Sequence, residues 1–167
     1  MDTILLIIIG VLSRLAPHPA NVTAVGALAV FSGSRYSTTK ALVITVGTML
    51  ISDVVLGFHA VMWATYGSFA LSVFLASRFL RKQSIIRIAG VTFTSSIIFY
   101  LVTNFAVWVV PGSMYPKTLT GLMESYIMAL PFFRNSLIGD FFYTGVFFGG
   151  WEFVVLLRKR LRGLNIY

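Results

Sequence analysis

Apolar residues fill most of the chain in stretches that are separated by short polar segments. Six stretches are long enough to form helices, and they cover residues 3–15, 22–32, 41–56, 62–80, 85–110 and 135–157. The first two are short for a membrane span of about 20 residues, so we expect them to be tilted or partly embedded. A seventh stretch, residues 119–130, lies between Pro116 and Pro131 and is too short to cross a hydrocarbon core of about 30 Å. The pattern predicts an all-α integral membrane fold with six transmembrane helices and a short outer half-helix.

Composition supports the same class. Hydrophobic residues make up 57% of the 167 residues and charged residues 11%, with a mean hydropathy of +0.89. Because a water-soluble fold of this length cannot hide so much apolar surface, we expect a single transmembrane domain over residues 1–167. The sequence has no cysteine, which excludes disulfides, thiolate metal sites and a cysteine nucleophile. The first apolar stretch follows Asp2 instead of a basic segment, so we expect it to be retained and not cleaved as a signal peptide.

The net charge of +8 is distributed unevenly among the loops. With the N-terminus inside, ten of the thirteen basic residues fall on the cytoplasmic side: Arg35, Lys40, Arg78, Arg81, Lys82, Arg87, Arg158, Lys159, Arg160 and Arg162. This asymmetry follows the positive-inside rule, provided that the stretch 119–130 does not cross the membrane. We therefore expect both termini in the cytoplasm of a bacterial inner membrane. The placement of the charges favours a lipid bilayer, and no nucleic acid, as the partner of this basic chain.

Strongly polar residues collect at the opposite, outer end of the predicted spans. Polar groups at membrane depth are costly unless a partner or a ligand satisfies them, and a transport pore needs such groups along its full length. The distribution predicts an outward-facing pocket that is closed toward the cytoplasm. The candidate ligand-binding residues are His18, Asn21, Asp53, His59, Tyr66, Asn104, Trp108, Tyr115, Arg134 and Asp140.

Several candidates have a structural alternative. Asp53 could pair with Arg14 or Arg134 and fix helix packing, because buried charges are generally paired. His18 stands between two prolines and could only shape a turn, and His59 could be solvated at the edge of a loop. The aromatic candidates fit an interfacial belt as well as a stacking surface. Arg134, with Asn135 and Asp140, is the set that most favours ligand contact.

Catalytic and energy-coupling motifs are absent from the sequence. It has no G-x-x-x-x-G-K-[ST] loop and no H-E-x-x-H pair, and no serine lies in a nucleophile elbow. Metal binding through His18, His59 and Asp53 has no support from ligand spacing. We therefore expect no enzymatic activity, no bound metal and no resident cofactor, and ATP-driven transport would need another protein. An intramembrane enzyme assembled from separate spans is the least supported alternative.

Five segments resemble a known family. They are residues 14–21 (RLAPHPAN), 52–59 (SDVVLGFH), 103–108 (TNFAVW), 114–118 (MYPKT) and 131–140 (PFFRNSLIGD). They look like segments of the substrate-binding S-components of energy-coupling factor (ECF) vitamin transporters. The likeness covers most of the chain and is greatest to the solitary cobalamin-transporting S-components. In those proteins a histidine of the first outer loop, an aspartate at a helix end and an arginine before the last helix match His18, Asp53 and Arg134.

The resemblance implies six helices, a pocket under the outer loops and transport by tilting of the whole protein in the bilayer. In many members of that family the tilting occurs against a partner membrane subunit driven by two ATPases. Cobalamin proteins of this type ligate cobalt with a cysteine, and Tyr66 lies in that region here. The resemblance thus implies uptake of a vitamin-like micronutrient, with cobalamin or a related corrinoid first and other micronutrients left open. The alternative is a non-transporting membrane scaffold whose outer polar cluster is structural.

Overall fold

The chain folds into six α-helices that run up and down in a bundle. The computed structural model describes residues 2–164, with side chains described for residues 2–161, and this part of the chain contains no strand. The helices are α1 (Thr3–Leu15), α2 (Val25–Arg35), α3 (Thr38–Leu56), α4 (Met62–Phe79), α5 (Ile85–Val109) and α6 (Leu119–Leu164). The all-α class is confirmed, and five of the six predicted stretches match a helix to within three residues at each end.

Local capping explains where several of these helices begin and end. The side chains of Asp2, Ser37 and Ser84 accept hydrogen bonds from backbone N–H groups in the first turns of α1, α3 and α5. Such N-caps satisfy donors that have no partner inside the helix. Gly57 ends α3 with a φ of 93°, a conformation that glycine adopts without the steric cost of a Cβ atom. These helix ends are therefore fixed by short-range chemistry.

Helix α2 lies at the centre of the bundle. Its residues 25–33 are all buried, so it is covered on every side, as expected of a helix that is apolar all round. The small residue Gly33 lets α2 approach α4, where an added Cβ would lie 2.5 Å from the carbonyl oxygen of Val73. Ser68, Ser72 and Ala76 on α4 are fully buried or nearly so. The small side chains of α4 therefore serve packing inside the bundle.

Helices α5 and α6 pack against each other in antiparallel directions. The hydroxyl groups of Thr92 and Thr144 are 3.4 Å apart, and Ser96 donates to Asp140 at 2.6 Å. Further along, Tyr100 donates to the carbonyl of Tyr126 at 2.7 Å. These contacts hold α6 against α5 on both sides of Pro131.

The prediction that residues 119–130 form a separate half-helix is wrong. Residues 119–130 and 135–157 belong to one continuous helix, α6, with 46 residues and Pro131 inside it. Proline removes one backbone donor and costs about 3 kcal/mol or more within a helix. Neighbouring helices and polar side chains offset such costs in membrane proteins. Here Tyr100 bonds the carbonyl of Tyr126, next to the Ile127 carbonyl whose usual donor Pro131 lacks.

The two ends of the bundle differ in character. The loops 16–24, 57–61 and 110–118 lie together at one end, termed the cavity end, and the loops 36–37 and 80–84 lie at the other, termed the basic end. Salt bridges join helices at each end: Arg14 to Asp53 at the cavity end, and Arg35 to Glu152 at the basic end. The alternation of the helices places most predicted cytoplasmic basic residues at the basic end, while the side chain of Arg162 lies outside the described residues.

Three helices in the described part of the chain are long and apolar enough to cross a membrane. They are Thr38–Leu56, Ile85–Val109 and Leu119–Leu161, and α1 is a shorter apolar helix. Large apolar side chains cover much of the exterior of the bundle, including Val54 and Ile85, which are 72% and 86% exposed. Monomeric soluble proteins rarely expose large contiguous apolar patches. The surface is that of a protein suited to a lipid environment.

Candidate functional site

A cavity lies above the N-terminal end of the central helix. Helix α2 has only 11 residues, whereas α3, α4, α5 and α6 have 19, 18, 25 and 46. The longer helices rise past α2 and enclose a space of about 320 Å³. Val25 and Gly26, in the first turn of α2, form its floor. The polar residues of its lining are Arg14, His18, Asn21, Thr23, His59, Thr65, Ser136 and Asp140.

A second cavity of about 270 Å³ adjoins the first between α4, α5 and α6. The two share Asn21, Thr65, Phe99 and Ser136 as lining residues, so together they form one elongated depression at the cavity end. The walls of the second cavity are more aromatic, with Phe132, Phe133 and Tyr100. Small-molecule sites are typically clefts of about 300–1,000 Å³ lined by apolar groups and a few polar ones, and this depression has that composition.

The floor of the cavity is closed by the core of the bundle. Below Gly26, the side chains of Leu28, Phe31 and Phe147 are completely buried. The rings of Phe31 and Phe147 stack with centroids 5.6 Å apart, and Phe148 meets Phe31 edge-on. This packed aromatic layer fills the centre of the bundle below the cavity. The space is open at one end of the bundle.

Arg14 lines one wall of the site, and its salt bridge to Asp53 lies behind that wall. Nη2 of Arg14 lies 2.6 Å from Oδ1 of Asp53, and Nη1 donates to Oγ of Ser52 and to the carbonyl of Met49. Tyr66 donates to Oδ2 of Asp53 at 2.7 Å. The predicted alternative of a structural Asp53 pair is therefore the observed arrangement, with Arg14 and not Arg134 as the partner. The network ties α1, α3 and α4 together.

Asp140 is the acidic residue that lines the cavity itself. Its Oδ2 accepts a hydrogen bond of 2.6 Å from Ser96 on α5, and its carboxylate lies against Gly26 at the start of α2. A Cβ on Gly26 would overlap that carboxylate. Backbone N–H groups at a helix N-terminus carry partial positive charge, which favours an acidic side chain nearby. Three helices thus position this group at the floor of the cavity.

The first loop of the cavity end supplies two predicted residues. Nδ1 and Nε2 of His18 lie 2.8 Å and 3.3 Å from the carbonyl oxygens of Pro19 and Arg14, so backbone contacts hold the ring. Asn21 has a φ of 65°, a left-handed conformation that asparagine adopts more readily than most residues. Asn135 donates to the carbonyl of Ala20 at 3.0 Å and fixes this loop to α6.

His59 and Asn104 are the other predicted residues that line the depression. His59 stands in the loop between α3 and α4 and lines the first cavity. Asn104 lines the second cavity, and its Nδ2 donates to the carbonyl of Tyr100 one helical turn earlier at 2.7 Å. Five of the ten predicted residues, His18, Asn21, His59, Asn104 and Asp140, therefore lie at the cavities.

The remaining five predicted residues lie away from both cavities. Asp53 and Tyr66 belong to the salt-bridge network behind the wall. The indole N–H of Trp108 donates to the carbonyl of Pro116 at 2.8 Å, and Tyr115 lies in the same loop. Arg134 is exposed on the outer face of α6. Ligand contact by these residues stays a prediction.

Sequence reasoning missed the residues that shape the space. Gly26, Thr65, Phe99 and Ser136 line the depression, and Ser96 holds Asp140. Serine, threonine and glycine are common in membrane helices as packing residues, so nothing in one sequence separates a lining residue from a packing one. The four-residue spacing of Ser136 and Asp140 is a weak signal, because it places both side chains on one face of α6.

In the described residues, no three His, Asp or Glu side chains lie close enough together to hold a metal ion. The two histidines and Asp140 line the same cavity without forming such a group.

Comparison with models of protein families gives a match over nearly the whole chain. The model of a family of unknown function, DUF6580, matches residues 1–162. The chain belongs to the DUF6580 family. Comparison of this DUF6580 protein with curated proteins and with solved structures gives no match. The resemblance to ECF S-components stays a prediction that rests on the sequence segments given above.

Proposed function

We propose that this DUF6580 protein is an integral membrane protein of six spans that binds a vitamin-sized solute at its cavity end for uptake into the cell. The observation that carries the proposal is the depression above α2, which has polar walls and an apolar, closed floor. Such a shape suits capture from one side of a membrane. In this proposal the cavity end faces outward from a bacterial cytoplasmic membrane and both termini lie inside.

The distribution of charge supports the orientation. Arg35, Lys40, Arg78 and Arg87 lie at the basic end with the loop that contains Arg81 and Lys82. Excess lysine and arginine mark the cytoplasmic side of membrane proteins. The short helices α1 and α2 have 13 and 11 residues and can cross the apolar layer only in part. Longer neighbours cover α2, whereas α1 lies at the periphery of the bundle with Ile4 and Leu12 exposed. The alternation of the loops between the two ends supports the proposed six-span arrangement.

The size of the depression bears on the ligand. Cavities of about 320 Å³ and 270 Å³ lie near the lower limit for small-molecule sites. A corrinoid, which is a large macrocycle with a nucleotide tail, needs more space than either cavity offers. The volumes therefore favour a micronutrient smaller than cobalamin as the ligand. Cobalamin or a related corrinoid is the ligand that the sequence resemblance implies first.

Movement of the solute across the membrane would need a second component. The packed floor of Leu28, Phe31 and Phe147 closes the cavity, and the sequence has no phosphate-binding loop for ATP. The resemblance to S-components implies a partner membrane subunit with two ATPases. In this proposal the DUF6580 chain captures the solute and the partner supplies the energy.

Thermal stability of the purified protein across a panel of water-soluble vitamins and their precursors tests the proposal. A compound that binds only the folded state raises the melting temperature, by an amount that corresponds to about 2.7 kcal/mol at 100 times Kd. Thr65→Phe fills the depression from a residue that lines both cavities and should abolish the shift. Leu71→Phe, on the exposed side of the same helix, is the control and should retain it. A clean protein that no compound stabilises would contradict the proposal.

A non-transporting scaffold is the second candidate function, because the Arg14–Asp53 network is satisfied inside the protein. Arg134 is exposed and lies outside that network, so Arg134→Ala should melt within a degree or two of the wild type under either hypothesis. Thr65→Phe separates the two, because Thr65 lines both cavities. In a scaffold no compound should stabilise the wild type or the variant, whereas in the binding protein proposed here the variant should lose a stabilisation that the wild type shows.

A further inference from the structure

Asp140 is a carboxylate at the floor of the cavity without a basic partner. Among the described side chains the salt bridges are Arg14–Asp53 and Arg35–Glu152, and neither includes Asp140. Its polar contact within the protein is the hydrogen bond from Ser96. A carboxylate that is removed from water is costly unless a positive charge or several donors compensate it. The cavity therefore contains one acidic group whose charge the protein leaves unpaired.

The basic side chains that line the cavity make no ion pair with Asp140. The guanidinium of Arg14 is committed to Asp53, Ser52 and the carbonyl of Met49. Both ring nitrogens of His18 lie near backbone carbonyl oxygens, and His59 lines the space without an ion-pair contact to Asp140. A ligand with a carboxylate or a phosphate would meet the repulsion of Asp140 without a free arginine or lysine to offset it.

Aromatic rings face the same space. Phe69 and Phe99 line the first cavity with ring centroids 5.0 Å apart. In the second cavity, the rings of Phe133 and Tyr100 are tilted against each other with centroids 4.6 Å apart. The faces of aromatic rings attract cations, and the attraction grows when water is excluded. A carboxylate beneath aromatic walls is a combination that recognises a positively charged organic group.

We propose that the cavity takes an organic cation, namely a protonated amine or quaternary ammonium group on a small apolar body, and that the Asp140 carboxylate is its counter-ion. The inference rests on the proposed binding function and narrows it to one charge class. The ammonium group would lie beside Asp140 at the floor, where Ser96 orients the carboxylate and the start of α2 limits its movement. The apolar body would lie in the cavity against the packed rings of Phe69 and Phe99.

Three small probes of matched shape test the charge class: 2-phenylethylamine, which is a cation at neutral pH, 2-phenylethanol, which is uncharged, and phenylacetate, which is an anion. Each is titrated against the purified full-length protein, and the melting temperature and Kd are measured. The amine should stabilise the protein, whereas the alcohol and the acid should not. This comparison uses the unaltered protein and does not depend on the folding of any variant.

Two variants test whether Asp140 is responsible for binding of the amine. Asp140→Asn keeps the shape of the side chain and its ability to accept from Ser96 while it removes the charge. It should raise the Kd of 2-phenylethylamine at least about tenfold, the order expected when one member of a buried charge pair is lost. Glu152→Gln removes one negative charge at the opposite end of the bundle, where Glu152 is exposed, and should leave the Kd unchanged.

The outcomes distinguish this inference from the proposed function. Binding of the alcohol or the acid with the affinity of the amine, or unchanged amine binding by Asp140→Asn, would overturn the cation assignment and leave a binding protein in place. Stabilisation by Na⁺ over K⁺ at constant ionic strength, with none by the amine, would assign Asp140 to an inorganic ion and also overturn it. Absence of a shift with all three probes and with the vitamin panel would overturn both proposals.

Discussion

Gly26 and Asp140 have to be considered as a pair. The carboxylate of Asp140 occupies the position that a side chain on Gly26 would fill. Glycine at this position is therefore required by a close approach within the site and not by backbone conformation. The residue is also the point at which the central helix meets the cavity.

The variant Gly26→Ala tests this close approach. The new methyl group should push the carboxylate away from its bond with Ser96, and ligand binding should weaken by about tenfold or more. Gly47→Ala is the matched control, because a Cβ on Gly47, in the interior of α3, meets no atom within 4 Å. That change should stabilise the protein by up to about 1 kcal/mol through helix propensity. Equal binding by both variants, measured beside their unfolding midpoints, would contradict the proposed position of Asp140.

Part of the candidate site could be predicted from the sequence. His18, Asn21, His59, Asn104 and Asp140 could be found from the sequence, because polar residues near the ends of apolar stretches need a partner. Arg134 could not be separated from them, because the rotation of α6 about its axis decides which residues face the cavity. Asp140 faces inward and Arg134 faces outward.

At the scale of helices, the Arg14–Asp53 salt bridge joins α1 to α3. The carboxylate of Asp53 is 1% exposed, and it also accepts from Tyr66 on α4. Breaking a buried pair by removing one partner leaves the other charge uncompensated, whereas an exposed pair contributes little. The pair at the basic end, Arg35–Glu152, is the exposed comparison, since the Glu152 side chain is 63% exposed.

We expect Asp53→Asn to destabilise the protein by about 3–5 kcal/mol because Arg14 loses its counter-ion in a buried setting. Glu152→Gln should cost about 1 kcal/mol or less. Chemical denaturation in detergent micelles measures both. If the two variants unfold together, the Arg14–Asp53 pair does not have the structural role that its burial indicates.

Helix α6 carries the largest difference between prediction and structure. The apolar stretches were sufficient to locate the other five helices, because hydrophobic runs and helix caps are properties of neighbouring residues in the sequence. Pro131 and the polar Arg134 and Asn135 interrupt the apolar pattern, so the sequence indicated two elements. Packing against α5 is a long-range effect, and it keeps α6 continuous through the proline.

Spin labels on α6 measure that continuity directly. Met123 and Phe141 are both exposed, and the chain has no native cysteine, so a double cysteine variant can be labelled cleanly. Eighteen residues of continuous helix place the two backbone positions about 27 Å apart. A separation well below that value, after allowance for the label arms, would indicate that the segment before Pro131 folds back as a half-helix.

For the molecule as a whole, unequal helix lengths create the difference between the cavity end and the basic end. A short, fully buried α2 leaves a space at one end, and the longer α4, α5 and α6 wall it in. The other end collects basic residues and the end of α6. The collection of basic residues at one end of the bundle could be predicted from charge placement, but the cavity at the other end depends on where α2 begins.

Access to the cavity from one side only is the central claim, and cysteine labelling in intact cells tests it most directly. Thr65 lines both cavities, and Ser72 lies two turns deeper on the same face of α4, where it is 1% exposed. With a membrane-impermeant thiol reagent added outside, Thr65→Cys should be labelled and Ser72→Cys should not. Labelling of Ser72→Cys as well, or labelling of Thr65→Cys only after the cells are opened, would contradict an outward-facing cavity with a closed floor.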